Sequence, residues 1–192
     1  MSDFINTVDV LGDEAVTNSI IDRSIEEYND DNIKVVGKYA FAGCNELTEV
    51  NFPVASYIGS YAFQNCTSLT SVNFPLVTSI DDRVFRSCTS LISVYFPVAT
   101  SIPYGTFMDC TSLTNVSFPV ASYIGQFAFQ YCTSLSIACF LASSVCKLTN
   151  SDAFTSTPIA SGTGSIYVPM SLVDAYKTAT NWTYFSSVIY GV

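Results

Sequence analysis

Apolar positions in this chain recur with a period of 22 residues. A fixed period sets the architecture before any local motif is read. Leu47, Leu69, Leu91, Leu113 and Leu135 form one column. Val50, Val72, Val94 and Val116 form a second, and Phe52, Phe74, Phe96, Phe118 and Phe140 a third. Ile58, Ile80, Ile102 and Ile124 follow, then Phe63, Phe85, Phe107 and Phe129. Cys44, Cys66, Cys88, Cys110 and Cys132 complete the set. One period earlier the columns land on Ile25, Tyr28, Val36 and Phe41, so the unit begins before the first cysteine.

Within a unit, Leu69-Thr70-Ser71-Val72-Asn73-Phe74-Pro75 predicts a short strand. Val72 and Phe74 share one face, with Ser71 and Asn73 on the other. Pro75 has no amide hydrogen to donate, so the ladder should end there. The stretch from Ser79 to Cys88 predicts a turn and a short helical or 3₁₀ piece. A unit this small cannot bury its own apolar residues, but stacked units bury them in continuous columns.

The Leu-x-x-Val-x-Phe spacing resembles the leucine-rich repeat pattern, with proline after the strand where that pattern carries asparagine. Ala62-Phe63-Gln64-Asn65-Cys66-Thr67-Ser68-Leu69 and Ala128-Phe129-Gln130-Tyr131-Cys132-Thr133-Ser134-Leu135 resemble the BspA-like (Treponema pallidum type) leucine-rich repeats of bacterial surface proteins. The resemblance spans residues 25 to 169. It implies an α/β-type solenoid, a right-handed superhelix of 22-residue repeats with a parallel concave sheet and short helical or 3₁₀ convex segments. It also implies a binding scaffold, often linked to adhesion, whose motif residues are structural.

The organisation expected is a helical cap over residues 1–24, repeats over 25–154, and a last strand with a C-terminal helical cap over 155–192. Gly12 to Ile21 reads as an amphipathic helix with acids in its first turn, where the helix dipole favours them. Ile166-Tyr167-Val168-Pro169 repeats the strand spacing a last time. Ser171-Leu172-Val173-Asp174 reads as a capping box opening a helix through Lys177. Trp182, Tyr184 and Phe185 are placed to seal the last layer. The period breaks between residues 136 and 165: Leu141 replaces proline, and Ala153-Phe154 follow Ala128-Phe129 by 25 residues. Ser161-Gly162-Thr163-Gly164 predicts a flexible loop.

Composition narrows the function. With 192 residues, 49 % of them hydrophobic, the chain can bury a large core, and 14 Phe and 12 Tyr suit a stacked ladder. The formal charge is −9, and residues 1–43 hold nine acids and three bases. With no basic stripe, neither nucleic acid nor an anionic membrane surface is an expected partner. No apolar run is long enough to cross a bilayer, and Met1 to Thr7 lacks the basic start and apolar stretch of a signal peptide. The expectation is a cytoplasmic or phage-encoded, virion-associated protein, or else a piece excised from a longer secreted surface protein.

The chemistry-bearing residues are few. Five equivalent cysteines cannot all pair, and neither Cys-x-x-Cys spacing nor histidine exists to build a zinc site, so the cysteines predict a reduced, buried ladder. Cys139 stands instead at the outward position of Asn73, Tyr95 and Ser117, which makes it the thiol expected to be most open to labelling. Without histidine the commonest general base is missing. Asp81-Asp82, beside Arg83 and Arg86, predicts a salt-bridged corner, and Asp30-Asp31 a turn. No catalytic residue, cofactor or metal ligand is assigned.

What remains is surface. Glu49, Asn51, Ser71, Asn73, Ser93, Tyr95, Asn115 and Ser117, followed by Ile137 and Cys139, point outward from the strands. Small polar residues around a central tyrosine suit a protein or glycan ligand. Tyr57, Tyr61, Tyr104, Tyr123 and Tyr131 lie outside the inward columns and offer a second aromatic strip. The reading is a non-enzymatic interaction module. Its alternative is a structural spacer in a phage particle or larger surface protein.

Overall fold

The computed structural model describes residues 23–192. The helix expected over Gly12 to Ile21 lies outside the described residues. Each repeat lays down a three-residue strand, a two-residue strand and a tight turn. The longer strands are β1 (Glu27–Asn29), β3 (Glu49–Asn51), β5 (Ser71–Asn73), β7 (Ser93–Tyr95), β9 (Asn115–Ser117) and β11 (Ile137–Cys139). Between them lie β2 (Val35–Val36), β4 (Tyr57–Ile58), β6 (Ser79–Ile80), β8 (Ser101–Ile102), β10 (Tyr123–Ile124) and β12 (Lys147–Leu148). Pairing is parallel and follows the sequence period, with Val50 opposite Val72, Val94 opposite Val116 and Ile58 opposite Ile80. The longer strands line the concave face of the solenoid.

The stretch Ser79–Cys88 differs from the helical piece expected of it. It is a strand, Ser79–Ile80, followed by a turn. The reason lies in the backbone: Tyr61 and Asn65 in one repeat, then Arg83 and Ser87 in the next, have φ near +60°. A helix does not propagate through left-handed residues. Alternate amides of the turn therefore reach across to the following repeat. Tyr61, Phe63 and Asn65 donate to the carbonyls of Asp82, Val84 and Arg86 at 3.1, 2.9 and 2.9 Å. This gives the solenoid a third inter-repeat ladder.

The core is the columns predicted from the sequence. Phe63, Phe85, Phe107 and Phe129 stack nearly face to face at 5.3 to 5.6 Å. Phe74, Phe96 and Phe118 stack at 5.9 and 5.6 Å. The repeat cysteines are buried, and none of them forms a disulfide. Cys66, Cys88, Cys110 and Cys132 place Sγ 3.0 to 3.1 Å from the carbonyls of Phe41, Phe63, Phe85 and Phe107. Each thiol thus donates its proton to the backbone of the preceding repeat.

One interface is different. The concave ladder runs β1-β3-β5, stops, and resumes as β7-β9-β11; the shorter strands likewise divide into β2-β4-β6 and β8-β10-β12. Two sequence changes coincide with it: Pro103 has no amide to donate to the Ile80 carbonyl, where Gly59, Asp81 and Gly125 donate across their own interfaces at 2.8, 3.0 and 2.7 Å, and a hydroxyl is missing before the longer strand. Thr48, Thr70, Thr114 and Ser136 each donate a hydroxyl to the carbonyl 22 residues earlier, at 2.9 to 3.3 Å. Position 92 of that column is isoleucine, 52 % exposed, and has no hydroxyl to give. Backbone bonds here are long, with Ile92 N to Thr70 O at 3.3 Å and Thr100 N to Thr78 O at 3.4 Å. Val72 beside this seam is only partly buried, while Val50 and Val116 are fully buried.

The seam is held from the turn edge. Arg83, Phe85 and Ser87 keep their amide bonds to the next repeat at 2.9, 2.9 and 2.8 Å. The Arg83 guanidinium sits 4.4 Å over the Tyr104 ring, Asp82 accepts from the Tyr104 amide at 3.2 Å, and Arg86 faces Asp109 at 3.8 Å. The corner expected between Asp81-Asp82 and the arginines therefore does not form within the repeat. Asp81 is engaged by the hydroxyls of Tyr57 and Ser60 at 2.7 and 3.1 Å.

After β11 the period is interrupted. Tyr123 pairs with Lys147, 24 residues on, so two extra residues precede β12. The third precedes Ala153, whose carbonyl accepts from Phe129 N. This turn does contain a 3₁₀ helix, Ser151–Phe154, with the Asn150 side chain accepting from Asp152 N. The Ser161 to Gly164 segment is not the loose loop expected. It closes on the Pro158 carbonyl, which accepts from the Thr163 and Gly164 amides, both at 2.9 Å.

The end of the chain adds β13 (Ser165–Val168), a 3₁₀ turn (Met170–Leu172), α1 (Val173–Thr178), a 3₁₀ helix (Trp182–Val188) and β14 (Ile189–Gly191). β13 and β14 extend the concave sheet, with Tyr167 opposite both Cys139 and Tyr190. The capping box is absent. The 3₁₀ turn carries Ser171 past the cap position, so Leu172 stands there without a side-chain bond. Trp182 and Phe185 seal the last layer, but Tyr184 is 74 % exposed.

Candidate recognition surface

Strand alternation puts two rows of side chains on the open face of the concave sheet. One row holds Glu27, Glu49 and Ser71, then Ser93, Asn115, Ile137 and Ser165. The other holds Asn29, Asn51 and Asn73, then Tyr95, Ser117, Cys139, Tyr167 and Tyr190. The residues expected to bind, Glu49, Asn51, Ser71, Asn73, Ser93, Tyr95, Asn115 and Ser117, thus all lie on one surface. The seam divides them into two groups of four.

The two groups differ in chemistry. On β1, β3 and β5 the face is acidic and amidic. Asn73 donates to the Asn51 side chain at 2.7 Å, which fixes two amides in a line. On β7 to β14 it is aromatic and small. Tyr95 is 60 % exposed. Ser117 and Cys139 leave a trough between Tyr95 and Tyr167, three strand spacings or roughly 14 Å away. Tyr167 packs against Tyr190 with ring centroids 6.1 Å apart. Tyr167 and Tyr190 were not assigned to the face from the sequence, because the break hides the register that brings β13 and β14 into line.

Cys139 is half-buried, whereas the other six thiols are buried. Burial pushes the thiols of the core column up, most where the side chain is fully enclosed. The same cause raises Cys139 from a less enclosed position.

The second aromatic strip lies on the turn edge, away from this face, with different members. Tyr39 stacks on Tyr61 at 4.8 Å, Arg83 donates to the Tyr61 hydroxyl at 2.6 Å and covers Tyr104, and Tyr104 meets Phe127 at 5.4 Å. Tyr57 is engaged with Asp81, and Tyr123 and Tyr131 are exposed. The rings and guanidinium of this strip use their faces on one another, which makes it a brace more than a platform.

A shallow cavity of about 570 Å³ lies where the broken repeat meets the C-terminal cap, lined by Val145, Cys146, Lys147, Asn181, Trp182 and neighbours. Its polar groups are already used. Trp182 Nε1 donates to Cys146 O at 2.6 Å, Cys146 N donates to the Tyr176 hydroxyl at 2.9 Å, and Asn181 donates to the carbonyls of Leu148 and Thr149. The cap thereby satisfies backbone groups left open where the shorter-strand ladder ends at β12.

Comparison with known proteins gives a consistent family. The BspA type leucine rich repeat region matches in six copies, over residues 11–136 and 56–168. A leucine rich repeat protein of T. pallidum is similar in structure at a TM-score of 0.58 and 28 % identity, covering 61 % of this chain and 59 % of that one. A leucine-rich repeat protein from Eubacterium ventriosum shares the fold at a TM-score of 0.59 and 20 % identity, covering 70 % of this chain and 44 % of its own. The chain therefore spans about half the length of these two proteins. A search of curated proteins gives no match.

Proposed function

This chain belongs to the BspA-type leucine-rich repeat family, and on that premise we propose that it binds a partner protein on its concave sheet in an adhesin-like, non-enzymatic role. Leucine-rich repeat proteins of this kind are generally scaffolds for protein interaction. Tyr95, 60 % exposed on the seam-side strand near the middle of the concave face among small polar neighbours, is the observation that carries the reading. A tyrosine there offers a large amphipathic surface at little entropic cost. Glu49, Asn51, Ser71 and Asn73 on one side, and Ser93, Asn115 and Ser117 on the other, supply hydrogen bonds around it. Among the described residues no helix is long and apolar enough to cross a membrane.

The test is binding to arrayed proteins and glycans. Specific binding to a protein should fall at least about tenfold in Tyr95→Ala, as for a residue that anchors an interface, and stay unchanged in Tyr131→Ala on the turn edge. Binding confined to glycans would replace the partner class. Silence across both arrays would favour the spacer reading.

A further inference from the structure

We infer that the concave face takes an extended segment of a partner protein that is basic at one end and aromatic or aliphatic at the other. The basic end lies over β1 and β3, and the apolar end over β7 to β14. This rests on the concave-face reading above and adds the chemistry of what is bound.

The charge comes from Glu27 and Glu49. They stand opposite each other on neighbouring parallel strands, and both are exposed. Like charges directly opposite in a sheet are unfavourable, and neither carboxylate forms an ion pair with a described residue. A cation laid over the pair relieves that repulsion. Further along the same row, Ser71, Ser93 and Asn115 carry no charge, and Ile137 is 41 % exposed. The parallel row changes from Asn29, Asn51 and Asn73 to Tyr95, Ser117, Cys139, Tyr167 and Tyr190. Charge complementarity thus orients the occupant along the stack. An acidic glycan or an anionic bilayer would be repelled at β1 and β3, and a neutral glycan would leave the acidic pair as it stands.

Distance sets the spacing. From β3 to β7 is two strand steps, roughly 10 Å, and from β3 to β13 five steps, roughly 24 Å. An extended chain covers about 3.3 Å per residue. The basic and apolar residues of the occupant should therefore stand about three to seven positions apart.

The experiment is selection of random dodecapeptides on the folded protein, followed by affinity measurement on variants. The expected result is enriched peptides with Lys or Arg followed, or preceded, by Trp, Tyr, Phe or Leu at that spacing. Their affinity should drop tenfold or more in Tyr95→Ala. In the double variant E27Q/E49Q it should drop several-fold at low salt, with a flatter salt dependence. All three changes are at exposed positions, and an unchanged thermal midpoint confirms that the variants fold. Peptides lost on Tyr95→Ala but indifferent to salt and to E27Q/E49Q would overturn the basic–apolar assignment and leave the concave-face reading standing. Peptides indifferent to every one of these substitutions would overturn both.

Discussion

Two interfaces of the same solenoid are built differently. Between the repeats of β9 and β11 the strands pair in register and Ser136 donates to the Thr114 carbonyl, so backbone and hydroxyl ladders run together. Between the repeats of β5 and β7 the strand ladder lapses, isoleucine stands in the hydroxyl column, and the contact is kept by Arg83, Asp82 and Arg86 on the opposite edge. Both interfaces bury the same phenylalanine, leucine and cysteine columns. Core stacking together with the turn edge therefore holds repeats together without forcing the concave sheet to be continuous. The seam also falls where the open face changes from acidic and amidic to aromatic, so the two plates differ in chemistry as well as in pairing.

The columns that ignore the seam give the largest expected effects. Burial raises the folded-state thiols above their ordinary value of 9.0, Cys146 to about 12. Below pH 9 folded and unfolded chains both keep these protons, and stability is full. Above it the unfolded chain releases protons that the fold retains, so stability falls as pH rises from about 9 toward 12, by up to about 1.4 kcal/mol per pH unit for each such thiol. Urea midpoints measured across that range should drop steeply, and Cys88→Ala should make the drop shallower. A seam that admitted water to the core would instead let Cys88 and Cys110 titrate near their ordinary value, and the Cys88→Ala curve would run parallel to the parent.

Phenylalanine truncation is next. Phe96→Ala at the seam and Phe118→Ala away from it should each cost about 3–5 kcal/mol, since both rings are fully buried. A loss at Phe96 below about 1 kcal/mol would mean that the column is broken there as the sheet is. Arg83→Ala should cost about 1–2 kcal/mol through its cation–π contact and its bond to the Tyr61 hydroxyl. Lys147→Ala, exposed and away from the seam, should stay within about 0.5 kcal/mol. One change is a gain: Ile92→Thr restores the missing hydroxyl and should stabilise by about 0.5–1 kcal/mol.

Much of this was readable from the chain, because burial writes itself into periodicity. The columns of Leu, Val, Phe, Ile and Cys marked the core, the strands and the outward rows correctly. The turns were not readable as strand and left-handed bend, because the positive-φ sites carry Tyr, Asn, Arg, Ser and Phe in addition to glycine. Without glycine at those sites, an apolar turn reads as helix. Ile92 looked unremarkable until the hydroxyl bonds of Thr48, Thr70 and Thr114 showed what its position does. Tyr167 and Tyr190 joined the face only through strand pairing across the insertion, which spacing alone could not register. The capping box failed because a motif of four residues carries no information about the 3₁₀ turn that precedes the helix.

Amide hydrogen exchange on the free protein tests the division of the concave face most directly. Strand amides of Ser93 to Tyr95 that face β5 should exchange well ahead of those of Asn115 to Ser117 and Ile137 to Cys139. The turn amides of Arg83, Phe85 and Ser87 should be as protected as Tyr61, Phe63 and Asn65 in the repeat before. Uniform protection across β5, β7, β9 and β11 would contradict the two-plate face and leave a single continuous sheet.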